Sequence, residues 1–306
     1  MSRFEVLAED MAFPEGPVVL PDGDILVVEI AAGQVTRVGK GGAKTLVAKP
    51  GGGPNGAALG PDGGLYVCNT GGSTWSREGG WRPLTRAPDN TGGRIERIDL
   101  ATGRVERLYD RAGDIMLSAP NDIVLDAHGG FYFTDHGHRD GRKLDFGAVF
   151  YAKVNGSFIE QVAFPLIGPN GIGLSPDGTR LYVAETSSGR IWGYTIAAPG
   201  KLAPVDWPSP TGGDLVAGLA GFWRFDSLAV EASGNIAVAT LRHGGILVVS
   251  PQGQLVERIA TDDPYTTNIA FGGPDRRTAY VTLSSSGRLV RMPWQRPGLN
   301  LEGEGA

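Results

Sequence analysis

Residues 168–185 read GPNGIGLSPDGTRLYVAE: a Pro-Asn-Gly opening, a short apolar strand, an Asp-Gly turn and a second strand rich in β-formers. An Asp-Gly step between two such strands specifies a β-hairpin. The same phrase occurs five more times. Pro14-Glu15-Gly16 precedes PVVLPDGDILVVE, Pro54-Asn55-Gly56 precedes AALGPDGGLYVCN, and Pro120-Asn121-Asp122 precedes IVLDAHGGFYFTD. Phe225-Asp226-Ser227 precedes LAVEASGNIAVAT, and Thr267-Asn268 precedes IAFGGPDRRTAYVT.

Hairpins repeated every ~40 to 65 residues predict propeller blades of about four strands each. Six copies predict an all-β, six-bladed β-propeller with four-stranded antiparallel blades, one domain over residues 1–306. Each motif supplies two inner strands. Outer strands are expected at 34–38 and 44–48, 93–99 and 104–109, 148–154 and 158–163, 189–196, 244–250 and 255–259, and 287–292. Their Val, Ile, Tyr and Arg residues alternate as half-buried strands do. Closure of the ring is expected where residues 4–8 pair beside the C-terminal strand 287–293, and the Gly/Glu-rich tail 298–306 is expected to fray. Three connections exceed simple turns: 71–92 with Trp75 and Trp81, 136–147 with two histidines, and 203–224 with Trp207, Phe222 and Trp223. Long loops on a rigid scaffold either line a binding site or cap the barrel end.

Composition narrows the function. A formal charge of −5 and the lack of a Lys/Arg-rich run argue against a nucleic-acid partner. No apolar run reaches the ~20 residues of a membrane helix, and MSRFEVLAED lacks the pattern of a signal peptide. A cytoplasmic protein with no membrane partner is the expectation. The 48 Gly and 21 Pro sit between strands as turn residues. Cys68, the single cysteine, allows no intrachain disulfide and reads as a buried thiol.

The second motif position holds Glu15, Asn55, Asn121, Asn170, Asp226 and Asn268 in turn, every one an oxygen donor. Around a propeller axis these oxygens converge. Two carboxylates with amides and waters suit Ca²⁺ or another hard dication, and no His or Cys occupies the position to make a soft site. The competing reading is that Asn and Asp here bond their own backbone in turns. That accounts for the asparagines but not for Glu15.

FPEGPVVLPDGDILVVE, PNDIVLDAHGGFYFTD, GPNGIGLSPDGTRLYVAET and FDSLAVEASGNIAVAT resemble the senescence marker protein/gluconolactonase/regucalcin-like family, related in architecture to diisopropyl fluorophosphatase. The resemblance covers nearly the whole chain. It implies a six-bladed propeller with a divalent cation in its tunnel, Ca²⁺ foremost, with Zn²⁺, Mn²⁺ and Fe²⁺ open. It implies hydrolysis of a sugar or aldonic lactone to the hydroxy acid, and so a place in carbohydrate metabolism. Glu15, Asn170 and Asp226 match the family's cation ligands, and Asn121 matches a position that holds metal in some members and substrate in others. Asp226 is the expected general base, with direct attack by its carboxylate as the second possibility. Asn121, Asn268 and Asn55 are expected at the substrate or a bound water. One departure stands out: sugar-lactone members carry Arg two residues before the third-motif Asn, where this chain has Ala119. Arg224 and His136 are the candidate replacements, with Trp223 beside them. The alternatives are a phosphotriester or fluorophosphate hydrolase using the same cation, and a calcium-binding propeller without activity.

Overall fold

The computed structural model describes residues 4–300. Six antiparallel sheets carry the fold. Blade 1 runs outward through Pro14–Val19, Ile25–Glu29, Gln34–Val38 and Lys44–Ala48. Blades 2, 3 and 5 repeat this plan from Pro54–Leu59, Pro120–Leu125 and Arg224–Val230. The six innermost strands touch one another in sequence, and the last, Thr266–Gly272, returns to the first. That closes the ring. In blade 6 the outermost strand is Glu5–Ala8 from the N-terminal end, paired with Arg288–Pro293 through Glu5↔Arg291 and Val6↔Val290. Both chain ends therefore complete one blade, as the sequence predicts. Among the described residues the helical content is a single 3-10 turn at Ile30–Ala32.

The blades bury their second and third strands between neighbours. Strands such as Gly245–Val249 are covered on both faces and accordingly read as continuous apolar runs. Phe133 and Phe150 stack at 5.2 Å within blade 3, and Tyr66 and Phe131 join blades 2 and 3 at 5.8 Å. The Asp-Gly turns work because glycine tolerates a left-handed backbone: Gly178 has φ +67.

Blade 4 departs from expectation. Its third strand, Arg190–Ala198, is nine residues long, and two short strands share its outer edge. Lys201–Ala203 pairs with the far half and Asp214–Gly218 with the near half. The connection at 203–224 thus contains the blade's missing outer strand. The other two long connections fold into hairpins, Ser73–Ser76 with Arg82–Arg86 and Arg139–Asp140 with Lys143–Leu144. The tail is not frayed where it is described. Gly298 donates to Arg276 O and Leu299 to Val230 O, both at 2.9 Å, and Leu299 lines the lower end of the tunnel. Residues 301–306 of that expectation lie outside the described residues.

Candidate metal centre and active site

Every inner hairpin shifts register at the motif. The irregularity falls between Glu15 and Val18, Pro54 and Ala57, Pro120 and Ile123, Pro169 and Ile172, Phe225 and Leu228, and Thr266 and Asn268. A bulge bends a strand and re-aims its side chains. Here it falls at the residue that faces the tunnel.

The glycine after that residue has a separate cause. A Cβ on Gly171 would lie 2.6 Å from Asp226 O and 2.7 Å from Leu228 N, and one on Gly56 would lie 2.5 Å from Asn121 O. Each motif glycine thus lets one inner strand press against the main chain of the next. Gly171→Ala is expected to cost about 3 kcal/mol, because main-chain neighbours cannot step aside. Thermal unfolding would measure the loss, and divalent-cation titration should show weaker binding, since Asp226 shares the disturbed backbone.

A second ring of polar residues supports the first. The residue ending the second strand of several blades accepts N–H groups from the segment leading into that blade. Glu29 accepts from Ala12 N at 2.7 Å, Asn69 from Gly53 N at 2.9 Å, and Glu185 from Ile167 N at 2.6 Å. Asp135 accepts from Ser118 N and Ala119 N, both at 2.7 Å. These residues hold the approach to the tunnel-facing side chains Glu15, Asn55, Asn121 and Asn170. The sequence carried their signal, an acidic or amide residue closing several copies of the motif, but that position was assigned no role.

Glu15, Asn55, Asn121, Asn170 and Asp226 line one cavity of about 410 Å³. Arg224 and His136 line it too. Glu15 uses one oxygen, Oε2, to accept from Asn268 Nδ2 at 2.7 Å and Gly16 N at 2.5 Å, so Oε1 is the oxygen left for a further partner. Asn170 donates from Nδ2 to Thr186 Oγ1 at 3.2 Å, which fixes its amide. Asn121 Oδ1 is buried without a hydrogen-bond partner. An orphaned carbonyl oxygen in a ring of oxygens is costly unless something else binds it.

Burial raises the pKa of Glu15 despite its hydrogen bonds. Burial, then the charge of Glu15, holds Asp226 well above the usual carboxylate range. Asp122, which the sequence reading passed over, is a third buried acid beside the lower tunnel. Burial and the charge of Glu15 push it up to about 8. Its signal was visible: it occupies the motif position where three other copies carry Gly. Three buried acids that resist ionisation along the tunnel, together with an unmatched amide oxygen, fit a hard dication. Among the described residues no three His, Cys, Asp or Glu side chains gather closely enough to ligate a metal alone.

Two expected substrate residues lie elsewhere. Asn268 flanks the lower tunnel, where its amide is spent on Glu15. Trp223 donates Nε1–H to Ala220 O, and its ring lies 5.0 Å from that of His243, with Arg258 over it. Trp207 is 88% exposed. His136 is half-buried, its Nδ1 lies 3.1 Å from Gly137 O, and burial lowers its pKa. Among the long connections, 71–92 gives the cavity Trp75, one of the tryptophans noted on the long loops, and Pro83, which the sequence did not single out.

The SMP-30/Gluconolactonase/LRE-like region matches residues 13–285. The chain belongs to that family. It is 26% identical to a gluconolactonase of Zymomonas mobilis, over 94% of this chain and 80% of the relative. It is 27% identical to diisopropyl-fluorophosphatase of Loligo vulgaris, over 96% of this chain and 93% of the relative. Among solved structures, a regucalcin from Agrobacterium tumefaciens, described as a calcium-binding protein, superposes with a TM-score of 0.70 at 20% identity, covering 98% of this chain and 94% of that one. That likeness concerns the fold alone. The family match spans all six tunnel-facing positions, from Glu15 to Asn268.

Proposed function

We propose that this protein is a cation-dependent hydrolase that opens a lactone ring to the hydroxy acid. The observation that carries the reading is the buried, unmatched Oδ1 of Asn121, a residue that lines one cavity with Glu15, Asn170 and Asp226. The gluconolactonase and the lactonase Drp35 of Staphylococcus aureus among its relatives support the ester class.

Glu15, Asn121, Asn170 and Asp226 would hold the cation, with Ca²⁺ the best match to an all-oxygen set. When bound, it supplies Lewis-acid polarisation of the ester carbonyl. Asp226 takes a proton from the attacking water, since a carboxylate can accept on the oxygen not engaged elsewhere. Attack by the Asp226 carboxylate itself is the second route. Asn268 is a positioning residue, because its amide fixes which Glu15 oxygen faces the cavity. Burial lowers the His136 pKa and so favours the neutral ring, which would bind the substrate as a hydrogen-bonding partner. Arg224 stands in for the arginine absent at Ala119. Asn55 contacts the substrate or an ordered water.

A pH-stat assay of chelator-treated protein, with lactones and each divalent cation restored in turn, tests the reading. Acid release that needs the cation is expected. A cation-loaded protein that opens no lactone would overturn it. A fluorophosphate substrate belongs in the same panel, because the squid relative aligns over nearly the whole chain and part of the cavity wall is apolar.

A further inference from the structure

We infer that the cavity selects a lactone carrying an anionic group and a flat apolar substituent, rather than a neutral polyhydroxylated lactone. This inference rests on the lactone-hydrolase reading and specifies its substrate.

The cavity lining combines two chemistries. Part of it is an apolar cluster. Phe13 meets Trp75 at 4.9 Å and Tyr265 at 5.8 Å, while Ile30 and Pro83 extend the face. Leu241 joins it through a β-bridge to Tyr265. Sugar hydroxyls placed against this surface would lose water without gaining partners, at a cost for each. A flat apolar group would instead bury its surface against two aromatic rings.

Two arginines of blade 5 also line the cavity, next to Leu241. Arg224 pairs across the strands with Leu241, and Arg242 follows Leu241 in the chain. Neither makes an ion pair with a carboxylate among the described residues. Arg224 lies within electrostatic reach of both His136 and Asp226, which places its charge at the cavity. Arg242 is braced by Phe222, whose ring lies 5.2 Å from its guanidinium carbon. A dication offsets the charges of Glu15 and Asp226. The two arginines then leave the cavity net positive, which is the field an anionic substrate follows.

The backbone adds independent support. Among the described residues four non-glycine residues have positive φ, and two of them, Phe13 at +57 and Arg242 at +71, line this cavity. A bulky residue in that region is strained, and such strain persists where the fold enforces it, often at binding sites. Here the enforcing bonds are Ile30 N to Phe13 O at 3.1 Å and Arg242 N to Pro264 O at 2.6 Å. The volume of about 410 Å³ leaves room for a substituent beyond the lactone ring.

The test compares kcat/KM of the cation-loaded protein for three lactones. One carries a phenyl ring and a carboxylate, the second replaces the carboxylate by a carboxamide, and the third is a neutral aldonolactone. The first is expected to exceed the second by about tenfold or more, the range of a charge-assisted guanidinium–carboxylate contact. Added salt should shrink the gap. Arg242→Gly should remove most of the preference, and its folding is safe because glycine suits φ +71. Arg224→Gln should reduce the preference as well. Trp75→Ala should lower kcat/KM for both phenyl lactones relative to the aldonolactone. Equal or better turnover of the aldonolactone, or a carboxylate preference that survives Arg242→Gly, overturns the inference while leaving the hydrolase intact. Calorimetry with the lactam of the first compound, which has no ester bond, separates the two readings. Arg242-dependent binding of that lactam without hydrolysis of any lactone keeps the pocket chemistry and discards the hydrolase, whereas no binding discards the pocket chemistry.

Discussion

Asp226→Ala is expected to lower kcat/KM by at least about a thousandfold while leaving the propeller folded. The substitution removes a cation ligand and the proposed base together, and either loss alone is worth ~10²-fold or more. Folding should survive, because Asp226 is a buried acid held above its usual pKa range by burial and by Glu15, so its charge opposes the metal-free fold. Asp226→Asn separates the two functions. The amide keeps an oxygen for the cation but cannot take a proton, so turnover should collapse while cation binding weakens far less. Calorimetric titration of the cation beside steady-state kinetics would show this. Retained turnover in folded, cation-loaded Asp226→Ala would remove Asp226 from the mechanism.

The second large effect is a pH dependence of stability that cation binding abolishes. Asp122 is pushed up to about 8, Glu15 is raised, and Asp226 lies well above its ordinary value. A carboxyl whose folded pKa exceeds its unfolded value binds more protons in the folded state between the two. Its contribution to stability is complete below the unfolded pKa, near 4, and is lost as pH rises through the folded one. The metal-free protein is therefore expected to lose several kcal/mol between about pH 5 and pH 8. Surface acids with lowered pKa, such as Asp177 at about 2, act in the opposite sense only at much lower pH. A saturating dication favours the ionised carboxylates and adds its own binding free energy to the folded state, so the decline should vanish. Denaturant unfolding at pH 5 and pH 8, with chelator and with Ca²⁺, checks both halves. Asp122→Asn should stabilise the metal-free protein at pH 8, because the amide keeps the acceptor oxygen that meets Ile123 N at 3.0 Å without the charge. A metal-free protein as stable at pH 8 as at pH 5 would contradict this account.

The repeat made the architecture legible. A hairpin with an Asp-Gly turn is local chemistry, and six of them leave few ways to bury the strands except around an axis. The oxygen donors were legible for the same reason: equivalent positions in a ring converge whatever their separation in the chain. Residues outside the repeat were harder. Trp223 lies one residue before Arg224, yet its ring turns to His243 while Arg224 enters the cavity. Asn268 occupies the ligand position of its motif but spends its amide on Glu15, which its own blade does not contain.

The sequence alone determined the number of blades, the oxygen character of the centre and the closure of the ring by both chain ends, because strand period, turn chemistry and repeat spacing are properties of short segments. Tertiary structure decided the rest. It left Asn121 Oδ1 unmatched, added Asp122 as a third acid in the tunnel, and brought an aromatic cluster and two arginines to one cavity. Those features arise where strands from different blades meet, and a partner brought by folding from 253 residues away, as Asn268 is to Glu15, leaves no local trace in the chain.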